Sequence, residues 1–569
     1  MYVLDELTGW QKPPYDTQIG EKLVGELVRR DVNHPCILFW DNGNEGGWNT
    51  DLDDDFAIYD PQNRRVLHPW ELHGGIDTDH YESYESVQHK MKSGNIFMPT
   101  ETLHGLYDGG LGAGLDDYWK LMWGQPLTGG MFLWVYADEG VVRTDKNCII
   151  DTDGNHAPDG ILGPFHQREG SFYTIKEIWS PVYIETDSPL PSNFDGTIPV
   201  ENRYDFTNLN QCRFEWKLVH YFGPADRSTG SWILSRGAAV SPNVAPHEKG
   251  LLHINLPQDR QKADALFLTA YSPDNRKLYT WKWKFTPAAK IENRFVKKDG
   301  SAPSLHRTKT SLDVTTGLFT FSFDRKTGLL ENVKQDEHTV PFNNGPVFVA
   351  NGVENEPAKV KIKTEQHENA LQMNVTGRPH FKKLQWTIYG SGWLQLAYVY
   401  EMQGQVDYMG VSFDYPENRM NEMKWLGKGP YRVWKNRIKG TTLDVWHNDY
   451  KNFQVNTAWN YPEFVGYYAD FNWVLFRTDD GPIIIATDND DLFMRVYSQK
   501  NGDDPRHTKM IWPAGDISFL HAIPAIGTKF KPAEQYGPES QKFQASGTYS
   551  ATLYFYFGLP FTEEKSGTR

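Results

Sequence analysis

The hydrophobic period of the chain changes once, near Pro181, and that change constrains the fold more than any single motif. Before it, helical stretches and continuous apolar runs alternate. "GEKLVGELVRRDV" sets Leu23, Val24, Leu27 and Val28 on one helical face, and "NHP" ends it ahead of the apolar run "CILFW". "GLDDYWKLMW" repeats the pattern with Leu115, Tyr118, Trp119 and Met122, after which "GQPLTGG" turns the chain into "MFLWVYADEG". Strands that are apolar along their length, separated by helices, predict a parallel sheet covered on both faces.

Beyond Pro181 the period is two. In "RFEWKL" Phe214, Trp216 and Leu218 alternate with Arg213, Glu215 and Lys217; in "YTWKWKF" Tyr279, Trp281, Trp283 and Phe285 alternate with polar partners. Half-buried antiparallel strands follow from that alternation. Turns spaced for about seven short strands suit an immunoglobulin-like β-sandwich over 181–290. The polar, basic stretch at 291–304 reads as a linker. From 305 to 569 the alternation continues, as in "LFTFSF" with Phe319, Phe321 and Phe323 on one face, and predicts a large C-terminal β-sandwich.

Charge and composition narrow the partners. The net charge is −15, and no Lys/Arg block could track a phosphate backbone, which argues against nucleic acid. Aromatic residues make up 14% of the chain, so rings are available to stack on sugar faces as well as to fill cores. Cys36, Cys148 and Cys212 lie too far apart for a disulfide framework or a zinc knuckle and read as packing residues. No stretch has the length and apolarity of a membrane helix, and "MYVLDELTGW" lacks the parts of a signal peptide, so neither membrane nor export is expected from these residues. The compartment of a longer parent protein is not written in them.

One strand ends unusually. "FWDNGNEGGWN", Phe39 to Asn49, runs from bulky apolar residues straight into a glycine-bracketed turn centred on Glu45. In an α/β barrel the C-terminal ends of the strands form the catalytic face, which is where Glu45 would lie. Glu101 ends the run "IFMPTE" in the same way. Two strand-end glutamates on one rim are the minimum equipment for cleaving a glycosidic bond, one as acid/base and one as nucleophile. Burial and like charge would raise the acid and leave the nucleophile ionised. The acidic run "DLDDDF" lacks the spaced ligands of a calcium loop and reads as solvated surface.

At these residues the sequence resembles glycoside hydrolase family 2, which includes β-galactosidases and β-glucuronidases. "NHPCILFWDNGNE" is similar to that family's acid/base signature, "PTETLHGLYDGGLGAGLDDYW" to its nucleophile signature, and "GGMFLWVYADEG" to its last barrel strand. The resemblance implies a multidomain α/β plus all-β chain: a partial (β/α)8 TIM barrel over 1–180, strands three to eight, followed by the two sandwiches. "WLGKGPY" resembles a landmark of the large β-galactosidases' last domain. It further implies Glu45 as acid/base, Glu101 as nucleophile, Asn44 as partner of the sugar 2-hydroxyl, His104 as a sugar or orienting contact and Trp134 as a stacking wall. Tyr81 or Tyr84 would hydrogen-bond the nucleophile, with Tyr81 preferred. The activity implied is a retaining exo-β-glycosidase, β-galactosidase-like, the alternatives being a β-glucuronidase, a polysaccharide side-chain glycosidase, or a silent carbohydrate-binding or structural fragment.

The chain departs from the family at four points. It enters at "YVLDELTG", so an N-terminal portion or a complementing chain is an expected partner, beside the carbohydrate substrate; a homo-oligomer is compatible. Trp10 and Lys12 stand where the magnesium ligands of many β-galactosidases would be, so no metal and no cofactor is expected there. Thr102 replaces the usual Tyr, and Asp108 an Asn, which bears on the preferred sugar.

Overall fold

A computed structural model of the chain describes residues 2–13, 15–104, 112–151, 157–186, 188–353, 359–449, 465–501 and 504–559. Asp108 and the glycines beside it lie outside the described residues.

The first part alternates strand and helix. β1 (Val3–Glu6), α1 (Thr17–Asp31), β2 (Ile37–Asp41), α2 (Asp53–Tyr59) and β3 (Val66–Leu67) follow in order, and the three strands pair in parallel. The start of α1 is fixed by Asp16, whose carboxylate accepts the Ile19 N–H at 2.9 Å, and Arg29 and Arg30 in its last turn complement the helix dipole. Val24 and Val28 of α1 pack with Ile37, Trp40, Leu52 and Phe56, while Leu23 and Leu27 are only partly buried. A hairpin of β4 (Leu72–His73) and β5 (Ile76–Asp77) leads to β6 (Ile96–Phe97), parallel to β5. Single parallel bridges extend the ladder from His80 to Glu101, from Phe97 to Thr128 and from Thr102 to Leu133. Leu4, Phe39, Leu67, Ile76, Met98 and Phe132, drawn from successive strand segments, meet in one apolar cluster. The predicted cover on both faces is incomplete: Val3, Leu38 and Ile96 are each about two-fifths exposed (39%, 38% and 41%), because no described segment packs over them.

Helices α3 (Tyr84–Lys90), α4 (Leu115–Met122) and α5 (Gly170–Ile178) close the other side, burying Val87, Leu115, Tyr118, Met122, Ile175 and Ile178 around Phe97 and Leu103. Among the described residues, no helix is long and apolar enough to cross a membrane.

The rest is antiparallel β-sheet. Val182–Tyr183, Thr197–Asn202 and Lys249–His253 form a three-stranded sheet, and Arg213–Tyr221, Ser231–Ala239, Ala265–Tyr271 and Lys277–Lys284 a four-stranded one. Phe214, Trp216, Leu218, Tyr279, Trp281 and Trp283 are all buried in the core the two sheets share, as their alternation predicts. Two nine-stranded sheets follow, joined by a single core that includes Phe319, Phe321, Phe323, Trp386, Trp425 and Phe555. The structure is therefore mostly β, organised in sandwich-like pairs of sheets. Of the cysteines only Cys212 is buried; Cys36 is half-buried and Cys148 exposed, so Cys148 is not a packing residue.

Candidate active site

Glu45 is delivered by the turn that follows β2. Gly43 in that turn has φ +81°, and a Cβ there would stand 2.5 Å from the Gly47 carbonyl oxygen, so only glycine fits. Glu101 follows β6, and His80 and Tyr81 follow β5; the parallel bridge between His80 and Glu101 brings these segments side by side.

One imidazole nitrogen joins the two acids. His80 Nδ1 lies 3.2 Å from Glu45 Oε1 and 3.4 Å from Glu101 Oε1, and one oxygen of each carboxylate comes within 4.8 Å of the other. His80 Nε2 is 3.0 Å from the Thr100 hydroxyl. If that hydroxyl donates to Nε2, the proton sits on Nδ1, facing both acids. Burial lowers the His80 pKa against the pull of Glu45, which favours the neutral ring. The Tyr81 hydroxyl donates to Glu101 Oε2, and the Trp10 indole donates to Glu45 Oε2 at 2.9 Å.

The electrostatics differ from the sequence expectation. Burial, reinforced by the charges of Glu45 and Glu139, pushes the Glu101 carboxyl up to about 7, against the hydrogen bond from Tyr81 and the cation of Lys529. Glu101, expected to stay ionised, is raised because it is only 4% exposed. Glu6, at the end of β1, is pushed up to about 8 by burial and by Glu101 and Glu45. Asp41 is fully buried with both oxygens unpartnered, and burial raises it well above the usual range.

Of the predicted sugar contacts, Tyr81, His104 and Trp134 gather around Glu101. The rings of Tyr81 and His104 are 5.5 Å apart, and Trp134 stacks on His104 at 6.3 Å. Trp134, Glu101 and Glu6 line a cavity of about 160 Å³. Asn44 adjoins Glu45, and its side-chain oxygen is buried without a hydrogen-bond partner. Tyr84 lies elsewhere, opening α3 and packing edge-on against Tyr118. A larger cavity of about 360 Å³, lined by Glu177, Lys282 and Arg437, contains none of these residues.

Sequence reasoning missed four participants. His80 carried a signal, since it immediately precedes Tyr81 at a strand end. Glu6 ends β1, within the "YVLDELTG" at which the chain enters. Lys529 and Phe530 carried none: they belong to the C-terminal sandwich, yet Phe530 lies 4.5 Å from Tyr81 and 5.2 Å from His104, ring to ring. The C-terminal sandwich thus places side chains against Tyr81 and His104. At the position where the resemblance would put magnesium ligands, the Trp10 indole presents a hydrogen-bond donor to Glu45, not a ligand oxygen.

Comparison with known proteins gives two family matches: "Beta galactosidase small chain" over residues 315–528 and "Beta-galactosidase, domain 4" over residues 198–276. A β-galactosidase of Priestia megaterium is 22% identical over 533 residues, covering 83% of this chain and 49% of the relative. A β-galactosidase of Pectobacterium atrosepticum is 23% identical over 352 residues, covering 54% of this chain and 32% of the relative. The chain thus spans half or less of the length of these relatives. Among solved structures, a Ruminococcus gnavus β-glucuronidase aligns with 28% of this chain and 35% of its own, at 17% identity and a TM-score of 0.20. A galactose 1-epimerase of Lactobacillus acidophilus aligns with 45% of this chain and 97% of its own, at 10% identity and a TM-score of 0.26. With a small-chain domain and a domain 4 of the β-galactosidase kind, both in its β-rich part, the chain is related to the β-galactosidase-like glycoside hydrolases.

Proposed function

We propose that the chain carries the catalytic centre of a retaining exo-β-glycosidase, β-galactosidase-like, on a partial (β/α)8 barrel, with domains at 1–180, 181–290 and 305–569. The observation that carries this reading is the convergence of Glu45 and Glu101 on His80 Nδ1, at 3.2 and 3.4 Å, from the C-terminal ends of parallel strands. That proximity suits the short carboxyl separation, about 5–5.5 Å, of a double displacement.

In the first step the ionised Glu101 attacks the anomeric carbon as the bond to the leaving oxygen breaks, and Glu45 gives its proton to that oxygen. In the second, Glu45 takes a proton from water, whose oxygen displaces Glu101 from the sugar. Tyr81 donates to Glu101 and holds its oxygen in line. His80 keeps the two acids at a fixed distance. Asn44 would take a hydrogen bond from a sugar hydroxyl, and Trp134, His104 and Phe530 would bound the sugar. No metal or cofactor enters these steps. Partners are a carbohydrate substrate and further protein completing the barrel, in the same chain or a complementing one.

Lys529 favours a second reading, a glycosidase for an acidic sugar such as a glucuronide or a sulfated side chain, because its ammonium group stands 3.2 Å from His104 Nε2 at the edge of the site. Nitrophenyl β-galactoside, β-glucuronide and related glycosides, assayed on this chain and on the chain extended at its N-terminus, separate the readings. Release from galactoside supports the first and release from glucuronide the second; no release from either form of the protein would leave only a binding or structural role.

A further inference from the structure

A second cluster of ligating groups lies on the other side of the Glu45 loop. Asp53 opens α2, His68 follows β3 and His73 ends β4. The β4–β5 hairpin turns on Gly74 and Gly75, with φ of +57° and +84°, and this tight reversal folds His73 back onto His68. The two imidazoles stack with centroids 3.8 Å apart at 25°. His68 Nε2 meets both Asp53 oxygens, at 2.9 and 3.1 Å. One ligand atom from each of the three residues falls within 4.8 Å of the others. His73 and Asp53 also line an open cavity of about 250 Å³. The acidic run read as solvated surface has therefore turned its first member of α2 inward.

Their surroundings resemble the outer support of a metal site. The Asn42 amide donates to Asp53 Oδ1 at 2.8 Å and fixes the carboxylate. The Glu71 carboxylate stands 3.8 Å from His68 Nδ1, the nitrogen that faces away from Asp53, and Trp48 stacks on the His68 ring at 5.5 Å and 6°. Carboxylate and amide partners of this kind hold ligating imidazoles and carboxylates in orientation. Burial would raise Asp53, but hydrogen bonds from His68 and Asn42 outweigh it and keep the carboxyl below its usual range. The cation lining the same cavity, Arg65, donates instead to the Gly74 carbonyl at 2.7 Å.

We propose that Asp53, His68 and His73 form a site for a divalent transition metal of the zinc type, held by three protein ligands with one position open to the cavity. Two imidazoles and one carboxylate suit zinc and its neighbours, whereas magnesium and calcium take oxygen sets. Asn42 and Trp48 belong to the turn that carries Glu45, so the ion would brace that turn from outside the reaction.

Equilibrium dialysis of the chelator-treated chain against zinc, read by metal analysis, tests this. One equivalent of zinc should bind, and zinc should raise the melting temperature by mass action. His73→Ala and Asp53→Asn should each lose that equivalent, with affinity falling at least about 100-fold. Glu101→Gln controls for zinc held between Glu45, His80 and Glu101, and should keep it. Far-ultraviolet circular dichroism checks that the variants fold. The proposal is overturned if zinc fails to bind, if both variants retain it, or if Glu101→Gln alone removes it.

Discussion

Lys529 Nζ lies 3.2 Å from His104 Nε2, a pairing of residues 425 positions apart, and the Lys529 N–H also donates to the His104 carbonyl at the same distance. The C-terminal sandwich therefore sets the charge at the rim of the candidate site. Lys529 favours ionised Glu101. Lys529→Met should move the acidic limb of the kcat/KM profile to higher pH and lower activity at pH 6 roughly 3–10-fold. Profiles that superimpose for wild type and variant would show that this lysine does not tune the acid.

Phe530 packs against Tyr81, has the Arg506 guanidinium 5.9 Å and the Lys529 ammonium 5.6 Å from its ring centre, and at 38% exposure keeps part of the ring open to solvent. Phe530→Ala should raise KM for nitrophenyl glycosides about 5–10-fold, since a ring stacked on a ligand contributes on the order of 1 kcal/mol, and should leave the melting temperature nearly unchanged. A change confined to kcat would mean the ring acts on the reacting geometry instead.

Glu101→Gln should lower turnover by more than roughly 1,000-fold without loss of fold, because the amide cannot form the glycosyl-enzyme. The wild-type pH profile tests the role separately. With the Glu101 carboxyl pushed up to about 7, a nucleophile there makes kcat/KM rise with pH through that value, whereas an acid there makes it fall.

What the sequence made legible was whatever a local pattern encodes. Alternation predicted the buried faces of Phe214, Trp216 and Leu218 and of Trp281 and Trp283, since period two leaves one face per strand to bury. Strand ends located Glu45 and Glu101, and resemblance supplied the neighbours Tyr81, His104 and Trp134. The rest depends on long-range approach. No pattern near "GTKFKP" announces that Phe530 will pack against Tyr81, and nothing in "DLDDDF" says Asp53 will face His68. The raised Glu101 carboxyl is of the same kind, because burial of Glu101 is a property of the assembled site.

Asp264, fully buried just before the inner strand Ala265–Tyr271 of the four-stranded sheet, accepts the Tyr221 N–H at 2.9 Å, and both its oxygens accept from the guanidinium of Arg294 in the connecting stretch. His220 Nδ1 adds a third contact at 3.1 Å. Asp264→Ala leaves a backbone N–H and a guanidinium without their acceptor, so it should cost about 3–5 kcal/mol in chemical denaturation. A loss within experimental error would mean that water replaces the carboxylate there.

Glu6 links stability to pH. Its carboxyl rises from 4.5 to about 8 in the fold, through burial first and then the charges of Glu101 and Glu45, so between those values the folded chain binds a proton that the unfolded chain has released. Stability from this group is therefore full below about pH 4.5 and declines as pH rises through 8. Glu101, raised to about 7, and Asp159, raised to about 9 chiefly by burial, act in the same direction. Acid denaturation from groups elsewhere will impose its own limit at low pH, which makes the slope between pH 6 and 9 the informative quantity. Glu6→Gln removes the ionisation while keeping the shape, and should flatten that slope and stabilise the chain at pH 8.5 by on the order of 1–3 kcal/mol. Urea titrations of wild type and variant at pH 6 and 8.5 measure this directly, and a slope that Glu6→Gln leaves unchanged would show that Glu6 is solvated in the folded chain.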